Sequence, residues 1–125
     1  MWTYRCYDDG SSPNLWSNWY YNTPDVMGSH DSVFSALEQM TNWRPPYTKI
    51  ISHKREAIVE VRLSGAVEWR VFGFYGPTRM EFVALGVGYH KQRVYYPADI
   101  LNTVVRRKKE TELDITRAIS CARPK

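Results

Sequence analysis

Between Ala57 and Val87, three β-prone apolar runs are separated by two turn signals, which commits the middle of the chain to a sheet. Val59, Val61 and Leu63 alternate with Ile58, Glu60 and Arg62, so Ile58–Leu63 reads as a strand with two unlike faces. Ser64-Gly65 turns the chain into a second strand, Glu68–Tyr75, and the pair reads as a hairpin. After Gly76-Pro77-Thr78 the run Met80–Val87 is apolar on both faces, as expected of a strand buried between layers. A three-stranded antiparallel meander is the economical topology, and the short run Thr3–Tyr7 offers a fourth strand.

Helical periodicity flanks these runs. Ser12-Pro13 supplies an N-cap followed by proline at the first helical position, Leu15, Trp16, Trp19 and Tyr20 form an apolar stripe, and Asn22-Thr23-Pro24 ends it. Ser29 or Asp31 caps a second helix with Val33, Phe34, Leu37 and Met40 on one face, stopped by Trp43-Arg44-Pro45-Pro46. Pro97 opens a last helix whose core stripe is Ile100, Leu101, Val104 and Val105, and Leu113, Ile115, Ile119 and Ala122 suggest a short further one. The expectation is one α+β domain over residues 1–125: two N-terminal helices packed on a twisted antiparallel sheet of three to four strands, with a C-terminal helix. A chain of 125 residues that is 43% hydrophobic has enough apolar side chain for one core.

Charge is unevenly placed. Residues 1–50 carry three Lys/Arg against five acids, whereas residues 51–125 carry fourteen against eight. The second part is therefore the side that suits a polyanion, be it RNA, DNA or an acidic protein. The N-terminus has no charged start followed by an apolar signal core, and no apolar run approaches the ~18–20 residues that span a bilayer, so a cytoplasmic protein without a membrane partner is expected. In that compartment Cys6 and Cys121 read as two free thiols rather than a bridge. His30 at a helix start and His53 in a polar link read as solvated.

The basic residues of the second part are interleaved with groups that can move protons. RNA is cleaved without metal when a 2′-hydroxyl attacks the adjacent phosphate, which requires a proton acceptor, cations for the developing charge, and an acid for the leaving oxygen. Arg62, Arg70 and Arg93 carry rigid donor forks that suit phosphate. His90 can exchange a proton, Lys91 adds a cation, and Tyr95 or Tyr96 can donate a proton or stack on a base. Each residue has a structural alternative. Strand arginines pair with neighbours such as Glu60 or Glu68, Tyr95-Tyr96 before a proline can serve helix entry, and Arg106-Arg107-Lys108-Lys109 suits the negative end of a helix dipole as well as RNA.

Other chemistries lack their residues. Gly86-Val87-Gly88 has no third glycine and follows the wrong element for a nucleotide loop, and no Gly-x-Ser-x-Gly elbow is present. Three scattered histidines and two distant cysteines have no metal-ligand spacing. Neither a metal nor a small-molecule cofactor is expected.

The order Glu60-Val61-Arg62, then Trp69-Arg70-Val71-Phe72-Gly73-Phe74-Tyr75, an apolar strand, a basic loop, Pro97 and the helix end Arg106-Arg107-Lys108-Lys109-Glu110 resembles the RelE/HigB toxin superfamily, in particular its phage-derived branch. The resemblance covers Trp16 to Glu110, including Trp43-Arg44-Pro45-Pro46 and Lys49. It implies a RelE-like α+β fold and the toxin of a type II toxin–antitoxin pair, a ribosome-dependent mRNA endonuclease held by a helix-turn-helix antitoxin. By position it implies that Arg70 holds the scissile phosphate with Arg62 beside it. His90, Lys91 and Arg93 then supply phosphate and acid/base groups, and Tyr95 or Tyr96 stacks on a base. On this reading Arg70, His90, Arg93 and Tyr95 are the catalytic candidates, while Arg62, Lys91, Tyr96, Arg106 and Arg107 bind RNA. Ile58 and Glu60 depart from the family, whose best-known members have lysines there. The proton-accepting role would then move, for instance to His90. Residues 111–125 extend past the resemblance. Two other functions suit the same pattern: a ParE-like inhibitor of DNA gyrase, and a binding module without catalysis. Arg70 together with His90 and Arg93 favours RNA cleavage.

Overall fold

The computed structural model describes residues 1–10, 15–23, 25–76 and 78–121. The expected Ser12-Pro13 cap, the Pro24 stop, Pro77 of the turn and Ala122 lie outside them. In chain order the elements are β1 (Thr3–Tyr7), α1 (Leu15–Asn22), α2 (Val26–Glu38), β2 (Thr48–His53), β3 (Glu56–Arg62), β4 (Glu68–Tyr75), β5 (Glu81–Lys91), β6 (Val94–Tyr96) and α3 (Ile100–Leu113). A single 3-10 turn, Ile115–Arg117, then leads into β7, Ala118–Ser120.

The expected sheet of three to four antiparallel strands, with its RelE-like description, is corrected by a seven-stranded mixed sheet ordered β2-β3-β4-β5-β1-β7, with β6 also paired to β5. β1 runs parallel to the first half of β5, from Thr3 opposite Glu81 to Cys6 opposite Ala84. β6 runs antiparallel to the second half, from Tyr89 opposite Tyr96 to Lys91 opposite Val94. The helices are divided between the two faces. α1 and α2 cover one through Trp16, Trp19, Val33, Phe34 and Leu37 over Val59, Val61, Val71 and Phe82. On the other, α3 lays Ile100, Val104 and Val105 over Ile58, Phe72, Phe74, Val83 and Leu85. This is why Met80–Val87 carries apolar residues on both sides: β5 has a helical layer above and below it.

Boundaries shift for local reasons. The second helix starts at Val26 after Asp25 in the left-handed region, ahead of the expected Ser29 or Asp31 cap. Within the polar link, Lys54-Arg55 is a hairpin turn with φ of 50° and 66°, and it joins β3 to β2, a strand the sequence reading did not include. Gln92 and Arg93, φ 51° and 66°, turn β5 into β6 in the same way. The last helix begins at Ile100 after a turn closed by the Ile100 amide donating to the Pro97 carbonyl (3.0 Å), and runs to Leu113. In place of the expected short C-terminal helix, the chain forms a 3-10 turn and a strand.

Cys6 and Cys121 form a disulfide, with Cα atoms 5.2 Å apart, which corrects the expectation of free thiols. His30 is corrected too, being 6% exposed among Trp16, Trp19, Tyr20 and Phe34. Among the described residues, no helix is long and apolar enough to cross a membrane.

Candidate functional site

One irregularity decides which residues meet. Along β4 and β5 the register slips between Phe72 and Gly73: Phe72 faces Gly86 and Gly73 faces Ala84, so Leu85 is an extra residue on β5. A one-residue bulge reverses the alternation of every residue beyond it. Phe82 and Ala84 face α1 and α2, whereas Gly86 and Gly88, past the bulge, face Ile100 of α3. His90 follows in the same alternation and comes to lie opposite Glu68 and beside Tyr95. Gly86 and Gly88 also leave room for α3 and β6. A Cβ on Gly88 would stand 2.5 Å from the Tyr96 carbonyl oxygen, and one on Gly86 3.2 Å from Val104.

Beyond the N-terminus of α3, this face of the sheet carries a polar cluster. At its centre is Glu60, 1% exposed. Arg62 Nε donates to Glu60 Oε1 at 2.9 Å, and the Tyr95 hydroxyl donates to Oε2 through a short hydrogen bond. Arg70 brings Nε to 3.9 Å from the same carboxylate and Nη2 to 3.9 Å from Glu68, while Nη1 donates to the Trp69 carbonyl at 3.1 Å. His90 Nδ1 lies 3.8 Å from Glu68 Oε2. Lys49 of β2 is the cross-strand partner of Glu60, and Arg62 is that of Arg70. Tyr95 stands edge-on to Phe72, ring centroids 5.4 Å apart, which fixes its hydroxyl over Glu60.

The electrostatics follow from burial. Desolvation, then the hydrogen bond and negative charge of Glu60, push the Tyr95 hydroxyl up to about 12 against the opposing pull of Arg70 and Arg62. Tyr95 is therefore a proton donor at neutral pH. Arg62 leaves 40% of its side chain exposed and Arg70 10%, so Arg62 has the freer guanidinium. Both line an open cavity of about 440 Å³ at the β3–β4 turn, with Tyr47 and Glu68.

The expected site residues separate into groups. Arg62, Arg70, His90 and Tyr95 converge on the α3-side face around Glu60. Lys91 and Arg93 stand at the exposed β5–β6 hairpin. Tyr96 stacks on Tyr89, centroids 5.1 Å apart at 15°, and Tyr89 in turn meets Trp69, which packs toward α1 and α2. It thus lies on the opposite face from Tyr95. Arg106 is exposed at 63% with Glu110 at 3.7 Å. Arg107 is packed inward, its guanidinium 4.9 Å from the Tyr7 ring centroid and Nη1 donating to the Leu85 carbonyl at 2.8 Å.

Sequence reasoning assigned no part in the chemistry to Glu60 or Glu68, although both organise the cluster. Glu60 and Arg62 are two apart on a strand, and that spacing already put them on one face. The chain matches no protein-family model, no curated protein and no solved structure.

Proposed function

We propose that this chain is a metal-independent endoribonuclease that acts in the cytoplasm on mRNA at the ribosome, as the toxin of a toxin–antitoxin pair with a helix-turn-helix antitoxin. The observation that carries the reading is the carboxylate of Glu60 bracketed by Arg62 and Arg70, with Tyr95 and His90 in the same cluster. The sequence resemblance to RelE/HigB toxins supports the same chemistry from the order of Arg62, Arg70 and His90 along the chain.

Glu60 accepts the 2′-hydroxyl proton, and the flanking guanidinium groups of Arg62 and Arg70 hold its carboxylate in place. Tyr95 gives up its hydrogen bond to Glu60 as the 2′-hydroxyl takes its place. Arg62 and Arg70 hold the non-bridging oxygens while charge builds on them. His90, beside Glu68, gives a proton to the departing 5′-oxygen. The products are a 2′,3′-cyclic phosphate and a 5′-hydroxyl.

The test is incubation of the purified protein with translating ribosomes and a defined mRNA, mapping the cut ends. Cuts bearing 2′,3′-cyclic phosphate, lost at least ~100-fold in Glu60→Gln and His90→Gln, are expected. Intact mRNA with the wild-type protein overturns the reading. One observation favours the alternative of a binding module without catalysis: Glu60 is almost fully buried and already carries Tyr95 and Arg62 as partners. On that reading Glu60→Gln lowers stability but alters no RNA.

A further inference from the structure

Among the described residues, the segment after α3 is joined to β1 by a short ladder and to Tyr7 and Asp8 by hydrogen bonds. β7 meets β1 over three residue pairs: Arg5 with Ser120, Cys6 with Ile119, and Tyr7 with Ala118. The Asp8 amide donates to the Arg117 carbonyl at 2.7 Å, and Arg117 Nη2 donates to the Tyr7 hydroxyl at 2.6 Å, whose own proton goes to Glu110. From Ile115 to Cys121 only Ala118 is buried. So short an edge strand is weakly held by its ladder alone. The disulfide supplies the remaining hold, joining residues 115 apart in sequence and so closing a long loop.

The two sulfurs differ in access. Cys6 is 1% exposed beneath the sheet's α1–α2 layer. Cys121 lines an open cavity of about 500 Å³ together with Tyr4, Arg5, Trp16, Asp31 and Glu38. Arg5 favours an approaching thiolate while Asp31 and Glu38 oppose it, so access rather than charge selects the sulfur attacked.

We propose that Cys6–Cys121 is a redox-operated clasp, opened by a dithiol reductant that enters this cavity, attacks Cys121 Sγ and releases β7 from β1. In the first step the reductant's thiolate forms a mixed disulfide with Cys121, and Cys6 leaves as a thiolate that takes up a proton. In the second, the reductant's other thiol attacks its own sulfur in the mixed disulfide. Cys121 is freed as a thiol, and the reductant departs as a cyclic disulfide. Two electrons and two protons pass to the protein. The opened protein exposes the Arg5–Tyr7 edge of β1, while α3 keeps its seat through Ile100, Val104 and the Arg107 bond to the Leu85 carbonyl. The clasp lies at the β1–β7 edge, away from the Glu60 cluster, and does not depend on RNA cleavage.

The test is amide hydrogen exchange on the full chain with and without dithiothreitol, with thiol content followed by alkylation and mass measurement. Reduction of the native protein is expected to speed exchange in residues 115–121 and 5–7 at least ~10-fold while β3, β4 and the middle of β5 keep their protection. Cys121→Ser is expected to exchange at the reduced rate in both buffers. Equal exchange in the two redox states of the wild-type protein overturns the proposal. So does uniform acceleration across the sheet, and so does a bond that resists dithiothreitol in the folded protein.

Discussion

The Tyr95 hydroxyl donates a hydrogen bond to the carboxylate of Glu60, 35 residues earlier in the chain, and so ties the short edge strand β6 to β3 across the sheet face. Tyr95→Phe removes that donor and leaves a buried carboxylate short of one partner. A stability loss of about 1–3 kcal/mol is expected, read as a lower urea midpoint with an unchanged slope.

The same bond sets a pH dependence. The Tyr95 hydroxyl has its pKa raised to about 12 in the folded protein, against about 10 in an unfolded chain. The protonated form is the one the fold favours, so its contribution is complete below pH ~10 and is lost as pH rises toward ~12. The difference in urea midpoint between the wild-type protein and Tyr95→Phe should shrink across that window and stay constant between pH 7 and 9. A difference that grows above pH 10 contradicts the assignment.

Arg70 can be separated into its charge and its shape. Arg70→Lys keeps a cation near Glu60 but loses the planar fork that holds two phosphate oxygens. If the cluster cleaves RNA, cutting should fall at least ~100-fold in this variant while stability changes by about 1 kcal/mol or less. Arg70→Ala, which strips a partner from a carboxylate 1% exposed, should cost about 2–4 kcal/mol by denaturation.

Arg106 and Arg107 are neighbours with opposite environments. Arg107→Met forfeits the hydrogen bond to the Leu85 carbonyl and the contact with the Tyr7 ring, and should lower stability by about 1–3 kcal/mol. Arg106→Ala touches an exposed pair with Glu110 and should stay within about 0.5 kcal/mol. In an RNA-binding titration against salt, Arg106→Ala should flatten the dependence and Arg107→Met should not.

Gly88→Ala places a methyl 2.5 Å from the Tyr96 carbonyl oxygen, a backbone atom that can move only if β6 moves. A loss of about 1–3 kcal/mol is expected, with altered chemical shifts confined to β5, β6 and the start of α3.

The strands that alternate cleanly were legible in the sequence. Thr3–Tyr7 and Glu68–Tyr75 have the bounds expected of them, and the double-sided apolar run at Met80–Val87 already pointed to two covering layers. What was not legible has physical causes. β2 has three exposed positions and ends in Ser52-His53, so it carries little apolar contrast, and its partner strand decides it. β6 and β7, at three residues each, have no periodicity to detect. The site was half legible. Arg62 and Arg70 needed only strand alternation, but His90 reaches their face through the bulge at Leu85, which no pattern of side chains announces. Glu60 departs from the lysine of the resembling family, and strand alternation alone does not show that it is buried.

β5 borders β1 along its first half and β6 along its second, on the same edge. For a chain made from its N-terminus on the ribosome this imposes a schedule. Thr3 through Cys6 leave the ribosome ahead of their hydrogen-bonding partner, Glu81 through Ala84, which is synthesised after two helices and three other strands. β7, which covers their other edge, comes later still. β1, made before the other described strands, therefore waits longest for its neighbours, and a nascent chain stalled before Glu81 would carry it with both of its edges uncovered.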